Sequence, residues 1–97
     1  MPTYVLLMNL TEQGIKKIKE APARIEMNTK ALEAAGGKMI GHYTVIGQYD
    51  YVVIAEVPSD EVGMTQLLTL GMLGNVRTTT LKAFTKEEFA EVVKRLP

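Results

Sequence analysis

Ninety-seven residues, 46% of them hydrophobic, make an ordinary globular chain expected to form one domain over residues 1–97. Eleven basic residues offset eleven acidic ones, which excludes the clustered basic surface of a nucleic-acid binder; the one basic run, Lys16-Lys17-Ile18-Lys19, is flanked by Glu12 and Glu20. With no cysteine there is no disulfide, no thiolate chemistry and no Cys-bound metal.

The N-terminus, Met1-Pro2-Thr3, lacks the basic, apolar and small-residue pattern of a signal peptide. No apolar run nears the ~20 residues that cross a bilayer, so the cytoplasm is the expected location and no membrane partner is expected. Thr3 to Asn9 is apolar on both parities, as a strand covered on both faces would be. Thr11 offers an N-cap hydroxyl, and Ile15, Ile18, Ile25 and Leu32 fall on one helical face. Pro22 lacks a backbone donor and predicts a kink or break near Ala21; Gly36-Gly37 ends the helix.

Lys38 to Ile46 reads as a second strand, with Ile40, His42, Thr44 and Ile46 on one face and Met39, Gly41, Tyr43 and Val45 on the other. Gly47-Gln48-Tyr49-Asp50 makes the turn of a hairpin, and Tyr51 to Val57 returns as a strand apolar on both parities, stopped by Pro58. Ser59 then caps a second helix whose buried face is read as Val62, Met64, Leu67, Leu68 and Met72, ending between Gly71 and Gly74. Asn75 to Ala83 is a threonine-rich strand. Thr85-Lys86-Glu87-Glu88 matches a capping box ahead of a short helix with the stripe Phe89, Val92, Val93 and Leu96.

The order βαββαβ plus a terminal helix predicts an α+β, ferredoxin-like fold, a four-stranded antiparallel sheet with both main helices on one face. The first and third strands should be central. Their apolar residues on both parities require cover on the helix-free face, and a second copy of the chain is the simplest cover.

These residues resemble a known family. Thr11-Glu12-Gln13-Gly14-Ile15, Pro22 with Arg24, Gly36-Gly37-Lys38, Gly47-Gln48-Tyr49-Asp50-Tyr51, Leu73-Gly74-Asn75-Val76-Arg77-Thr78 and Ala83-Phe84-Thr85 together resemble the GYD domain family, over nearly the whole chain. The family is named for Gly-Tyr-Asp, whereas Gln48 here separates Gly47 from Tyr49. The resemblance implies a dimeric α/β-barrel type of protein and a homodimer, or a higher oligomer of dimers. It implies no reaction.

Candidate ligand-binding residues are His42, Tyr49, Asp50, Arg77, Glu56 and Arg24. His42 is a packed or rim histidine or, as the one side chain titrating near neutrality, a general acid or base; without Cys or a second His it makes a poor metal site. Tyr49 and Asp50 offer a donor and an acceptor, or a turn that bonds its own backbone. Arg77 and Glu56 are charges in otherwise neutral strands, so they pair with some partner, face solvent at an edge or line a ligand cavity; on the covered sheet face Arg77 would anchor an anion. Arg24, beside the helix break, is a similar anchor. No phosphate loop or dinucleotide fingerprint occurs, and no cofactor is expected. The expected function is small-molecule binding or regulation by a homodimer with a pocket between sheet and helices. The alternatives are a cofactor-independent enzyme of monooxygenase or isomerase type and a dimer that only binds partners.

Overall fold

A computed structural model describes residues 1–97. Strand β1 (Thr3–Leu10) leads to a short helix α1 (Glu12–Lys16), a 3-10 turn (Ile18–Glu20) and helix α2 (Ala21–Ala34). Strands β2 (Lys38–Thr44) and β3 (Tyr51–Glu56) follow, then helix α3 (Asp60–Leu73), strand β4 (Val76–Ala83) and helix α4 (Lys86–Lys94). The sheet order is β2-β3-β1-β4, antiparallel throughout, so β1 and β3 are central as their two-sided apolar sequences require. This is the ferredoxin-like α+β arrangement.

Local chemistry sets the element ends. The Thr11 hydroxyl accepts from Gly14 N at 3.1 Å and donates to Gly74 O at 2.6 Å, capping α1 and tying it to the end of α3. The break falls at Lys17, ahead of Ala21, and Pro22 sits in the first turn of α2, where its missing donor costs nothing. That early break splits the expected apolar face: Ile25 and Leu32 pack inward, while Ile15 and Ile18 are exposed. At the other end of α2, Gly37 N donates to Leu32 O and Gly36 N to Glu33 O, with Gly36 at φ 89°, a Schellman ending that needs glycine.

Three further expectations are corrected. Strand β2 stops at Thr44 because Val45 N donates to Asp50 O and closes the hairpin there, leaving Ile46 fully exposed. Within β2 the register slips at Ile40: Met39 pairs with Ala55, whereas Gly41 pairs with Ile54 and His42 with Val53. The bulge therefore puts Met39 and His42 on the same face, beneath the helices, instead of on opposite faces. Helix α3 packs through Gly63, Leu67 and Leu70, and its other apolar row, Met64, Leu68 and Met72, faces outward.

The core lies between sheet and helices: Leu6, Met8, Tyr51 and Val53 at its centre, and Leu32, Ala55 and Val57 towards the end of α2. The opposite sheet face carries Val5 and Leu7 of β1, Val52 and Ile54 of β3, Tyr43 of β2 and Leu81 of β4, and no helix covers it. Helix α4 has the expected capping box, Thr85 N donating to Glu88 Oε1 at 2.8 Å and Glu88 N to Thr85 Oγ1 at 3.1 Å. It buries no residue, and its apolar stripe of Phe89 (62% exposed), Val92, Val93 and Leu96 is exposed. Its projection explains a radius of gyration of 14.7 Å, against about 12.5 Å for a compact chain of this length.

Candidate functional site

Helix α2 lies over β2 and α3 over β4, so the central strands run beneath a gap between the helices. The gap is a cleft of about 280 Å³, and 18 of the 26 residues lining it are hydrophobic. Its floor is Leu6, Met8, Tyr51 and Val53. Arg24, Asn28 and Ala31, on one flank of α2, face Gln66, Thr69 and Leu73 of α3 across it. An apolar floor with neutral polar groups on the walls and one cation suits a small organic molecule.

His42 lines the cleft from β2, half-buried, its ring edge-on to Tyr51 at 5.3 Å between centroids. Burial pulls its pKa below the ordinary 6.5, partly offset by a backbone hydrogen bond. The imidazole is thus neutral at pH 7 and able to take a proton. No side chain hydrogen-bonds to it, and no carboxylate lines the cleft. Arg24 lines the cleft where α2 begins, and its Nη1 donates to Lys17 O at 3.2 Å across the helix break.

The other candidate residues lie elsewhere. Asp50 is tied to the backbone: its Oδ2 accepts from Leu10 N at 2.8 Å, and its own N donates to Met8 O at 2.8 Å. It extends the β1–β3 pairing one step past the strand and fixes the turn. Tyr49, half-buried in that turn, makes no side-chain hydrogen bond. Arg77 and Glu56 are both on the uncovered sheet face, opposite Asn9 and Thr3 of β1. Six residues of strand separate those positions, roughly 20 Å, so the two charges do not pair. Arg77 borders a shallow hollow with Gly71, Val76 and Thr78 at the sheet edge. Of the six candidates, the cleft brings together His42 and Arg24 alone.

One cluster has no forewarning in the sequence. The Tyr4 phenol donates to Asp60 Oδ1, and Lys82 Nζ lies 3.3 and 3.2 Å from the two carboxylate oxygens of Asp60. The Tyr4 hydrogen bond and then Lys82 hold the Asp60 carboxyl below the usual carboxylate range, and the same bond pushes the Tyr4 phenol up. The three residues pin the start of α3 to β1 and β4. Tyr4 and Lys82 lie 56 and 22 positions from Asp60 along the chain, too far for any spacing rule to link them.

Fold and cleft together define a ferredoxin-like α+β protein with an open, mostly apolar pocket under its helices. The GYD domain model matches residues 4–93, and the chain belongs to the GYD domain family. The glutamine synthetase and cystathionine beta-lyase binding protein of Thermus thermophilus is 32% identical over 97 residues, 99% of each chain. Among solved structures, a feast or famine regulatory protein from M. tuberculosis complexed with L-methionine superposes with a TM-score of 0.66 at 20% identity, over 89% of this chain and 52% of that one. That likeness is one of fold. No helix is long and apolar enough to cross a membrane.

Proposed function

We propose that this chain is a regulatory binding protein of the cytoplasm that works as a homodimer and holds a small molecule in the cleft between sheet and helices. The cleft itself carries the reading: a cavity of about 280 Å³ over the best-buried strands, with few polar groups on its walls. The dimer is supported by the uncovered face of Val5, Leu7, Val52, Ile54 and Leu81, an apolar patch that a second copy would bury symmetrically. The stripe of α4 extends the surface available to that copy.

A second reading, engagement of partner enzymes by the dimer, draws support from the Thermus thermophilus relative, which is named for binding two enzymes. The outward row Met64, Leu68 and Met72 on α3, with Met72 86% exposed, is a surface suited to that role. The two readings combine if ligand in the cleft shifts α2 against α3 and so alters what α3 presents.

Native mass spectrometry of the purified protein, before and after mild denaturation, tests the proposal. A dimer that carries, or takes up, a small organic molecule and loses it on unfolding is the expected result. A dimer that takes up no apolar probe overturns the pocket and leaves partner binding. A monomer overturns the homodimer.

A further inference from the structure

We infer that the ligand of the cleft is a small apolar molecule bearing one anionic group, its body on Leu6, Met8 and Val53 and its anion on Arg24. The inference rests on the cleft being a ligand site, as proposed above, and adds the chemical class.

Among all the residues lining the cleft, Arg24 is the only one with a formal charge at neutral pH, since no Asp, Glu or Lys contributes and His42 is neutral. Arg24 is also unpaired. The ion pairs of the chain are Lys16–Glu12, Lys82–Asp60 and Lys94–Glu91, and none includes it. Its one hydrogen bond, to Lys17 O, uses one of five N–H donors, which leaves donors for a carboxylate. An arginine half-buried beside an apolar cavity, with no counter-charge of its own, favours an anion over a neutral group. A cation in the ligand would be repelled, and nothing in the cleft would compensate it.

Size narrows the class. A cleft of about 280 Å³ lies at the small end of ligand pockets, about 300–1,000 Å³, and suits a small organic molecule. An eight-carbon fatty acid meets both conditions, and the matching alcohol meets the size condition alone. Neutral Asn28 and Gln66, on facing walls, accept either head group and therefore do not blur the comparison.

Isothermal titration of the purified protein with octanoate and with octan-1-ol at pH 7.5 tests this. Octanoate is expected to bind at least about tenfold tighter than the alcohol, the factor expected of one hydrogen bond to a charged group. Arg24→Gln should remove most of that advantage, lowering octanoate affinity more than octanol affinity, and Arg24→Lys should retain part of it. Equal binding of acid and alcohol to the unaltered protein overturns the anionic assignment while leaving the pocket standing. Binding of neither overturns the pocket reading and this inference with it. Because Arg24 also bridges the helix break, far-UV circular dichroism checks the variants; if they unfold, the comparison on the unaltered protein decides alone.

Discussion

Gly14 and Gly71 both lie within helices, and adding a methyl group to each should move stability in opposite directions. On backbone grounds alone, Gly→Ala in a helix stabilises by about 0.5–1 kcal/mol, because alanine loses less conformational freedom on folding. At Gly71 nothing lies within 4 Å of the added carbon, so that gain should appear in full. At Gly14 the new carbon would sit 2.1 Å from Asn75 O, 3.0 Å from Asn75 C and 3.1 Å from Leu10 Cδ2. The obstacle is backbone, and it cannot swing aside as a side chain would. Asn75 O accepts from Thr11 N at 3.1 Å, and Gln13 Nε2 donates to Leu73 O and to Asn75 Oδ1, each at 2.9 Å. Relieving the clash means sliding α1 away from the start of β4 and losing one or more of these bonds. Overpacking costs about 1–3 kcal/mol and a lost hydrogen bond about 1 kcal/mol, so the clash outweighs the propensity gain. The net expectation for Gly14→Ala is a loss of about 1–3 kcal/mol, or about 5–20 °C in Tm for a domain of this size. Thermal and urea unfolding followed by circular dichroism would measure both variants. A Gly14→Ala protein as stable as the parent would refute the close approach of α1 to β4.

If the proposed symmetric dimer forms through the uncovered face, Leu7→Glu should yield a folded monomer by light scattering, because that dimer would bury two unpaired carboxylates at several kcal/mol each. Val53→Glu, at 2% exposure beneath the helices, should fail to fold at all; a folded Val53→Glu protein would mean that the strand faces are misassigned. His42 titrates at a lower pH in the folded chain than its ordinary 6.5, so the unfolded chain binds the proton more readily. Stability should thus be at its full value above pH 6.5 and fall as pH drops from 6.5 towards the depressed folded value. His42→Asn should flatten that part of a pH–stability curve, and an unchanged slope would count against burial of the imidazole. Thr85→Ala removes the cap of α4, worth about 1 kcal/mol. Since α4 buries nothing within its own chain, hydrogen exchange should quicken in residues 86–94 with the melting of the rest of a monomer unmoved.

Much of the fold is legible in the sequence because several local signals agree. The two-sided apolar runs of β1 and β3, the hydroxyl caps Thr11, Ser59 and Thr85, and Gly36 each point to the element found. Helix α3 is misread for a physical reason: Val62, Met64, Leu67, Leu68, Leu70 and Met72 surround it with apolar side chains, and periodicity has no face to choose. The choice is made by Gly63, where a side-chain carbon would meet the Tyr4 ring at 3.3 Å, so the helix approaches the sheet there. The Ile40 bulge leaves no mark in an alternating pattern, yet it decides which face His42 occupies. Of the cleft, Arg24 could be picked out as a cation beside a helix break, whereas the walls Asn28, Gln66 and Thr69 acquire meaning only when α2 and α3 are set side by side.

The same bulge bears on how far association can go. A sheet of four strands ends in two open edges, β2 and β4, and each is a template onto which another chain could add strand by strand. On β2 the extra residue at Ile40 breaks the regular spacing of outward amides and carbonyls midway along the edge, and Lys38 places a charge near its start. Arg77 and Lys82 do the same on β4. Both edges are thereby blunted while the uncovered face stays apolar, so the proposed back-to-back pairing of copies would not grow into a ribbon.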